Sequence, residues 1–434
     1  MHLSMNKMIQ ALWKKAVIFL VITIAILQVI HMTLLSRLEA RKNQRHQRDA
    51  TSRGWESSAR VYHETEIQKD RANMMRSIHQ SSVLDSSGEF HIINYLITGE
   101  LMKNRNHVKQ DLTLATQTTI NGLHNLDMLS SAWQGPISVA VFSLTEDVPL
   151  AVETILHLRR CYQNIRYNTS FHLVYPLNGP TNNALPSSYP NVNSCDFLTN
   201  NLQKISLGKN YALGVAYPNN LLRNVARRSA LTDFVFMIDI DMVPSENLHS
   251  EFLQFSKEKK LFSESNKDDK TVYVVPAFEV KEDGAIPRSK SALLQQVEAM
   301  EARPFYFELC WKCQKHTDYE AWQKEPPSKK LDVLFEVLWR DPWEPFYIGR
   351  NNVPLYEERF RQYGFNRISQ VCELHVAGYK FSVLNNAFIV HRGLKTPNSF
   401  HKDKEIDQDR NRILFRQFKV ELKEKYPDSS RKCY

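Results

Sequence analysis

Phe234-Val235-Phe236-Met237-Ile238-Asp239-Ile240-Asp241 runs five apolar residues straight into two carboxylates set one residue apart. A strand that exhausts its hydrophobic residues at Asp-x-Asp sets both acids at the open, carboxyl end of a sheet, where ligands bind in α/β folds. Hard oxygen donors there suit Mg²⁺ or Mn²⁺, and such an ion in turn grips a diphosphate. A solvated turn would also accept the bare triplet, so its surroundings decide.

Working outward, Ile137 to Ser143 follows a Gly-Pro break and reads as a buried strand, and Pro149 to Leu158 reads as a helix. Phe171 to Tyr175 reads as a strand, and Tyr211 to Ser229 ends in a helix that starts near Asn219 or Asn220. This alternation predicts an α/β fold, a Rossmann-like and mostly parallel mixed sheet with helices on both faces. Thr271 to Pro276, Phe381 to Leu384 and Ala387 to Val390 supply later strands, and Phe90 to Leu96 is the first ordered stretch. The polar, Pro-rich segment Lys312 to Lys330 reads as a loop over one edge. Lys404 to Tyr426 carries Ile413, Leu414, Phe418 and Leu422 at helical spacing, which predicts a terminal helix with one buried face. With no internal repeat, residues 90–434 read as a single catalytic domain.

The chain has 434 residues, 42% hydrophobic and 24% charged, enough to bury a full core and too apolar for a disordered protein. A formal charge of +9 points to an anionic partner. The basic residues are dispersed and no nucleic-acid module is recognisable, which disfavours nucleic acid. Ala16 to Ser36 carries no Lys, Arg, Asp or Glu over 21 residues, long enough to span a bilayer. It is too long for a signal peptide core and lacks a small-x-small cleavage site, so it reads as an uncleaved anchor after a tail of residues 1–15. Residues 37–89 are polar and read as a stem. Lys7, Lys14 and Lys15 before the span are outnumbered by Arg37, Arg41, Lys42, Arg45 and Arg48 after it, which alone would favour a cytoplasmic body. The glycosylation acceptor Asn168-Thr169-Ser170 and six cysteines beyond the span favour a luminal one. Cys161 with Cys195 is the candidate disulfide, Cys310 with Cys313 would close only a short loop, and Cys372 reads as a buried thiol. Without a second CxxC or a His pair, no structural zinc is expected.

Several blocks together resemble a known family. They are Tyr217 to Arg228 (YPNNLLRNVARR), Asp233 to Pro244 (DFVFMIDIDMVP), Glu344 to Gly349 (EPFYIG), Glu358-Arg359-Phe360, Tyr363 to Arg367, Glu373-Leu374-His375 and Ala387 to His391. The set resembles glycosyltransferase family 49 from about Phe90 to the C-terminus, most specifically in YPNNLLRN and in RNRILFRQFK (Arg410 to Lys419). The resemblance implies a type II Golgi membrane protein with a GT-A fold. It implies inverting, metal-dependent transfer of glucuronic acid from UDP-glucuronate, in β-1,4 linkage, to a xylose-terminated O-mannosyl glycan of the alpha-dystroglycan type, with a Golgi glycosyltransferase as a candidate partner. Two alternatives stand beside it: an N-acetylglucosaminyltransferase on the same fold, or an inactive glycan-binding or scaffolding protein.

Chemistry distributes the roles. A UDP leaving group gathers negative charge, which a divalent cation stabilises. Asp239 and Asp241 are the expected carboxylate ligands, and the family pattern makes Asp241 the more direct one, Asp239 a contact for the ribose as well, and His391 the third ligand. An imidazole among carboxylates suits Mn²⁺ better than Mg²⁺. Inversion needs a base for the acceptor hydroxyl. By analogy with other inverting GT-A enzymes Glu373 is the first candidate and Glu358 the second. Asn220, Arg223 and Arg227, on the helix before the metal strand, are placed to reach the nucleotide, with Phe142 and Ser143 bordering it at the end of their strand. A glucuronate carboxylate also requires a cation, for which Arg350, Arg359 and Arg367 stay open.

Overall fold

The computed structural model describes residues 65–103, 109–178, 195, 214–396 and 404–433. Lys69 to Tyr434 forms one compact unit; of the preceding unit, Met1 to Gln68, residues 65–68 are described, within a helix over 65–80. The expected tail and anchor and the stem up to residue 64 lie outside the described residues. Among the described residues, no helix is long and apolar enough to cross a membrane.

The expected strands form, because β-branched and aromatic runs with no polar face are stable only when both faces are covered. Among the described residues the strands are β1 (Val83–Leu84), β2 (Phe90–Ile97), β3 (Leu112–Thr119), β4 (Ile137–Phe142), β5 (Thr169–Pro176), β6 (Phe234–Met237), β7 (Met242–Pro244), β8 (Thr271–Val275), β9 (Ala277–Val280), β10 (Ala302–Pro304), β11 (Val333–Val337), β12 (Phe346–Arg350), β13 (Lys380–Leu384) and β14 (Ile389–Arg392). Ten of them make one mixed sheet in the order β1-β2-β5-β4-β3-β6-β12-β8-β13-β11. β1, β5, β4, β3, β6, β8 and β13 run one way, and β2, β12 and β11 the other. The sheet is therefore mostly parallel in strand direction. The Asn219–Arg228 helix, buried along almost its whole length, packs on β3 and β4.

A second sheet, β10-β9-β14-β7, takes over where β6 ends. The chain leaves β6 of the large sheet, passes through Asp239-Ile240-Asp241, and enters β7 of the small one. The acids therefore lie at the junction of the two sheets.

Four expectations change. The compact unit starts at Lys69, before the expected boundary at residue 90, because an apparently polar stretch turns a narrow apolar stripe inward. Met74 is fully buried with Met75 and Ile78 packed beside it, Arg71 pairs with Glu153 at 2.6 Å, and β1 adds to the edge of β2. The segment 312–330 is partly helical, over Phe307–Gln314 and Tyr319–Lys324, and anchored by fully buried Trp322. The terminal helix runs Lys404–Lys425 and buries Phe415, Phe418 and Leu422, whereas Ile413 faces solvent at 67% exposure. Cys372 is no lone thiol: it is bonded to Cys433, alongside Cys161–Cys195 and Cys310–Cys313.

One buried histidine makes the fold sensitive to acid. His172 of β5 is fully buried, accepts the Tyr95 amide on Nδ1 at 2.8 Å and meets the Ser138 hydroxyl with Nε2 at 3.1 Å, while Ser138 donates to the Ala226 carbonyl at 2.6 Å. That network suits only the neutral ring, and burial lowers the pKa to about 3. Below the ordinary value of about 6.5 the unfolded chain binds a proton that the folded one refuses. Stability contributed by the neutral ring should thus be present above about pH 6.5 and be lost as pH falls toward 3, at up to about 1.4 kcal/mol per pH unit. Denaturant titrations at several pH values should show this slope, and His172→Gln should flatten it. An equal slope in the variant would assign the acid sensitivity elsewhere.

Candidate active site

The pairing of β7 with β14 creates the centre of the site. Antiparallel register sets His391 against Met242, the residue after Asp241, and β9 sets Glu279 on the other side of His391. His391 Nε2 lies 3.0 Å from Asp241 Oδ2. Its Nδ1 lies 2.7 Å from the Gly393 carbonyl, which can only accept, so Nδ1 carries a proton and Nε2 is left to face the acid. Gly393 has φ +89°, and a side chain there would run into Glu282 Oε2, so the turn that presents this carbonyl requires glycine.

Lys395 Nζ adds a positive charge 3.6 Å from the same Asp241 oxygen. Burial would raise the Asp241 pKa, but the hydrogen bond and charge of His391, with Lys395, hold it well below the usual carboxylate range. The side chain is nevertheless 38% accessible, so the carboxylate can be reached from solvent.

Asp239 has a different environment. Arg223 Nη2 approaches Oδ1 at 3.2 Å and Arg367 Nη1 approaches Oδ2 at 3.6 Å. Arg223 is oriented by the side-chain oxygens of Asn220 at 3.0 Å and Asn366 at 3.2 Å. The Arg367 guanidinium lies 4.1 Å from the Phe346 ring centroid, with Nε 3.6 Å from Glu344 Oε2. Glu344 arrives because β12 runs antiparallel to β6, with Ile348 opposite Phe236, so the residues before Phe346 reach the Asp239 end of that strand. Burial raises the Glu344 pKa, against the opposing pull of Arg367 and Arg223.

Of the three expected metal ligands, two converge. Among the described residues, Asp239 does not join Asp241 and His391 in a cluster with ligand atoms within 4.8 Å of one another. A carboxylate and an imidazole whose second nitrogen is fixed by a carbonyl form a donor set that a divalent cation could use. His157, Cys161 and Cys195 also cluster, but the two sulfurs are spent on their disulfide.

The other expected residues divide by role. Asn220 donates to the Glu357 and Asn366 carbonyls, both at 2.9 Å, and so shapes the loop bearing Asn366 besides orienting Arg223. Arg227 faces away from the acids: it is 2% exposed and donates to the carbonyls of Asn351, Val353 and Pro354, a clamp on a loop. Phe142 is fully buried against Phe90 and Tyr217, and Ser143, 2% exposed, donates to the Leu144 carbonyl. These two are core residues in this structure.

The two expected bases are also spent elsewhere. Glu373 is 2% exposed and its Oε1 accepts from Lys425 Nζ at 2.7 Å and Tyr426 Oη at 2.9 Å, which ties its helix to the C-terminal one. Glu358 accepts from Asn224 at 2.8 Å and lies 3.4 Å from Arg228. Of the arginines left open, Arg350 donates to the Leu261 and Asn266 carbonyls, and Arg359 pairs at the surface with Glu357 and Glu421; only Arg367 reaches the acids. Glu344 and Lys395 were not singled out by spacing. The signal for Glu344 was its position one Pro ahead of an apolar strand, the mirror image of Asp239 at the end of one.

Glu373→Gln should therefore lower thermal stability, by about 1–3 kcal/mol as a buried charge-assisted contact is lost, and leave turnover per folded molecule within about twofold. Parallel melting curves and initial rates check this. A collapse of turnover at unchanged stability would return Glu373 to the chemistry.

A family model described as "Glycosyl-transferase for dystroglycan" matches residues 111–427. Beta-1,4-glucuronyltransferase 1 of Danio rerio is 39% identical over 443 residues, covering 96% of this chain and 98% of its own. The Homo sapiens protein of the same name is 40% identical over 374 residues, covering 85% and 87%. Among solved structures, S. aureus TarS 1-349 in complex with UDP aligns over 74% of this chain and 67% of its own at 14% identity, with a TM-score of 0.37, too low to inform the site. The match along residues 111–427 and the near full-length relatives establish that this chain belongs to glycosyltransferase family 49 and is a glycosyltransferase.

Proposed function

We propose that this enzyme has a GT-A fold and transfers glucuronic acid from UDP-glucuronate, with inversion and in β-1,4 linkage, to a xylose-terminated O-mannosyl glycan of the alpha-dystroglycan type. The observation that carries a catalytic reading is the convergence of Asp241 and His391 beside an Asp239 ringed by arginines. The sugar and linkage come from the names of the relatives.

In this reading Asp241 and His391 would hold a Mn²⁺ ion, which would supply positive charge against the UDP leaving group. Gly393 fixes the imidazole so that Nε2 is the ligand atom. Asp239, with Arg223 and Asn220 behind it, orients the nucleotide end of the donor. Glu344 takes the place first given to Glu373 and Glu358: a carboxylate lifted by burial is suited to accept the proton of the attacking acceptor hydroxyl. The proton goes to Glu344, the hydroxyl oxygen bonds to the sugar C1, and the C1–O bond to UDP breaks.

A Golgi membrane location, with the catalytic unit luminal and the chain anchored through residues 16–36, completes the reading. All six cysteines are paired, as suits an oxidising compartment. Asn168 is partly exposed at the end of a short helix, open to a glycan.

The purified full chain, given Mn²⁺, a β-xyloside and either UDP-glucuronate or UDP-GlcNAc, should transfer glucuronate. Transfer of GlcNAc alone would sink the donor assignment, and transfer of neither would sink the enzymatic reading of this site. Chelation should abolish activity and added Mn²⁺ restore it. Asp241→Asn should cost about 10³-fold or more in turnover with the unfolding midpoint little changed. An active Asn variant would place the metal elsewhere.

A further inference from the structure

We infer that Arg367 is the subsite for the C6 carboxylate of the donor's uronic acid, and so the residue that separates a glucuronate donor from its neutral counterpart. This rests on the UDP-glucuronate reading above and adds the group that would enforce it.

Among the arginines considered, Arg367 is set apart by a buried guanidinium nitrogen that has no hydrogen-bond partner. Arg223 donates to Asn220, Asn366 and Asp239. Arg227 and Arg350 donate to main-chain carbonyls, and Arg359 to Glu357 and Glu421. Arg303 donates to Glu279 at 2.6 Å and pairs with Glu308. The Arg367 Nη1 atom, by contrast, is buried without a hydrogen-bond partner, although the side chain is only 11% exposed. Its nearest acidic neighbours, Asp239 Oδ2 and Glu344 Oε2, lie 3.6 Å from guanidinium nitrogens, beyond the normal reach of about 2.7–3.2 Å for N–H···O bonds.

A buried cation with an open N–H is costly unless something completes it. The Arg367 guanidinium also packs on the Phe346 ring, 4.1 Å from its centroid. A planar two-oxygen anion is the matching shape, and arginine engages it through paired hydrogen bonds where lysine offers a single point charge.

Two anionic parts of one donor could satisfy that fork, the diphosphate and the sugar carboxylate. The carboxylate is favoured because Lys395, 3.6 Å from Asp241, supplies positive charge at the Asp241 and His391 end, and a cation held by that pair would add to it for the diphosphate. Arg367 Nε lies instead 3.6 Å from Glu344, the residue that takes the acceptor's proton in the reading above, and so beside the reacting sugar.

The test compares UDP-glucuronate with UDP-glucose, which carries a hydroxymethyl group where the first has a carboxylate. In the full chain, Arg367→Gln should lower kcat/KM for UDP-glucuronate about 10²-fold, while the inhibition constants of UDP and UDP-glucose stay within about twofold of wild type. Arg367→Lys should recover part of the loss. If both variants weaken UDP and UDP-glucose as much as UDP-glucuronate, Arg367 holds the diphosphate or merely the fold, and the proposal fails. If neither variant changes discrimination between the donors, it fails equally. Melting curves identify a misfolded Gln variant, in which case the Lys variant decides: fully wild-type discrimination in it rejects the paired-bond subsite. Wild-type protein that transfers no glucuronate overturns the parent reading instead, a result distinct from any of these.

Discussion

The antiparallel pairing of β7 with β14 is the constraint on which the site depends. It joins residues 150 positions apart, Asp241 and His391, at 3.0 Å, and it does so with main-chain hydrogen bonds that tolerate no slip. A shift of one residue would turn His391 to the opposite face of the small sheet and remove it from the acid. Gly393 then closes the arrangement, because only a left-handed turn there returns its carbonyl to Nδ1 and fixes the tautomer.

Around that pairing the two carboxylates of one short motif acquire different chemistry from different neighbours. Asp241, partly exposed, faces an imidazole and a lysine, an environment that keeps it ionised. Asp239 faces two guanidinium groups and shares one of them with Glu344. Burial moves Glu344 upward while the surroundings of Asp241 move it down, so two nearby carboxylates are separated in acidity by position alone. The sheet junction makes this possible: strand ends from two sheets deliver side chains that no single strand could bring together.

Much of this was legible before any coordinates. The long apolar runs ending in Asp-x-Asp, the strand and helix alternation, and the Asn219 helix start all survive folding, since each is a local preference reinforced by burial. Elsewhere the surroundings of a side chain depend on more than its place in the sequence. Arg227, four residues from Arg223 on the same helix, looks equivalent by spacing, yet one turn of helix carries it from the acids to the loop carbonyls of 351–354. Glu373 had a suitable neighbourhood in sequence, but its helix face is covered by Lys425 and Tyr426 from the end of the chain. Ile413, five residues before Phe418, falls on the opposite side of the helix from Phe415, Phe418 and Leu422 and faces solvent.

By itself the sequence determined the α/β class, the placement of Asp239 and Asp241 at a strand end, and the family, because periodicity and contiguous motifs are properties of neighbours along the chain. Only the tertiary structure decided that Asp241 and not Asp239 meets His391, that Arg367 lies beside Asp239 and Glu344, and that Arg227, Glu373 and Glu358 make their contacts elsewhere. Those assignments depend on strand register and on which helix covers which face, and both are set by contacts between residues far apart in the chain.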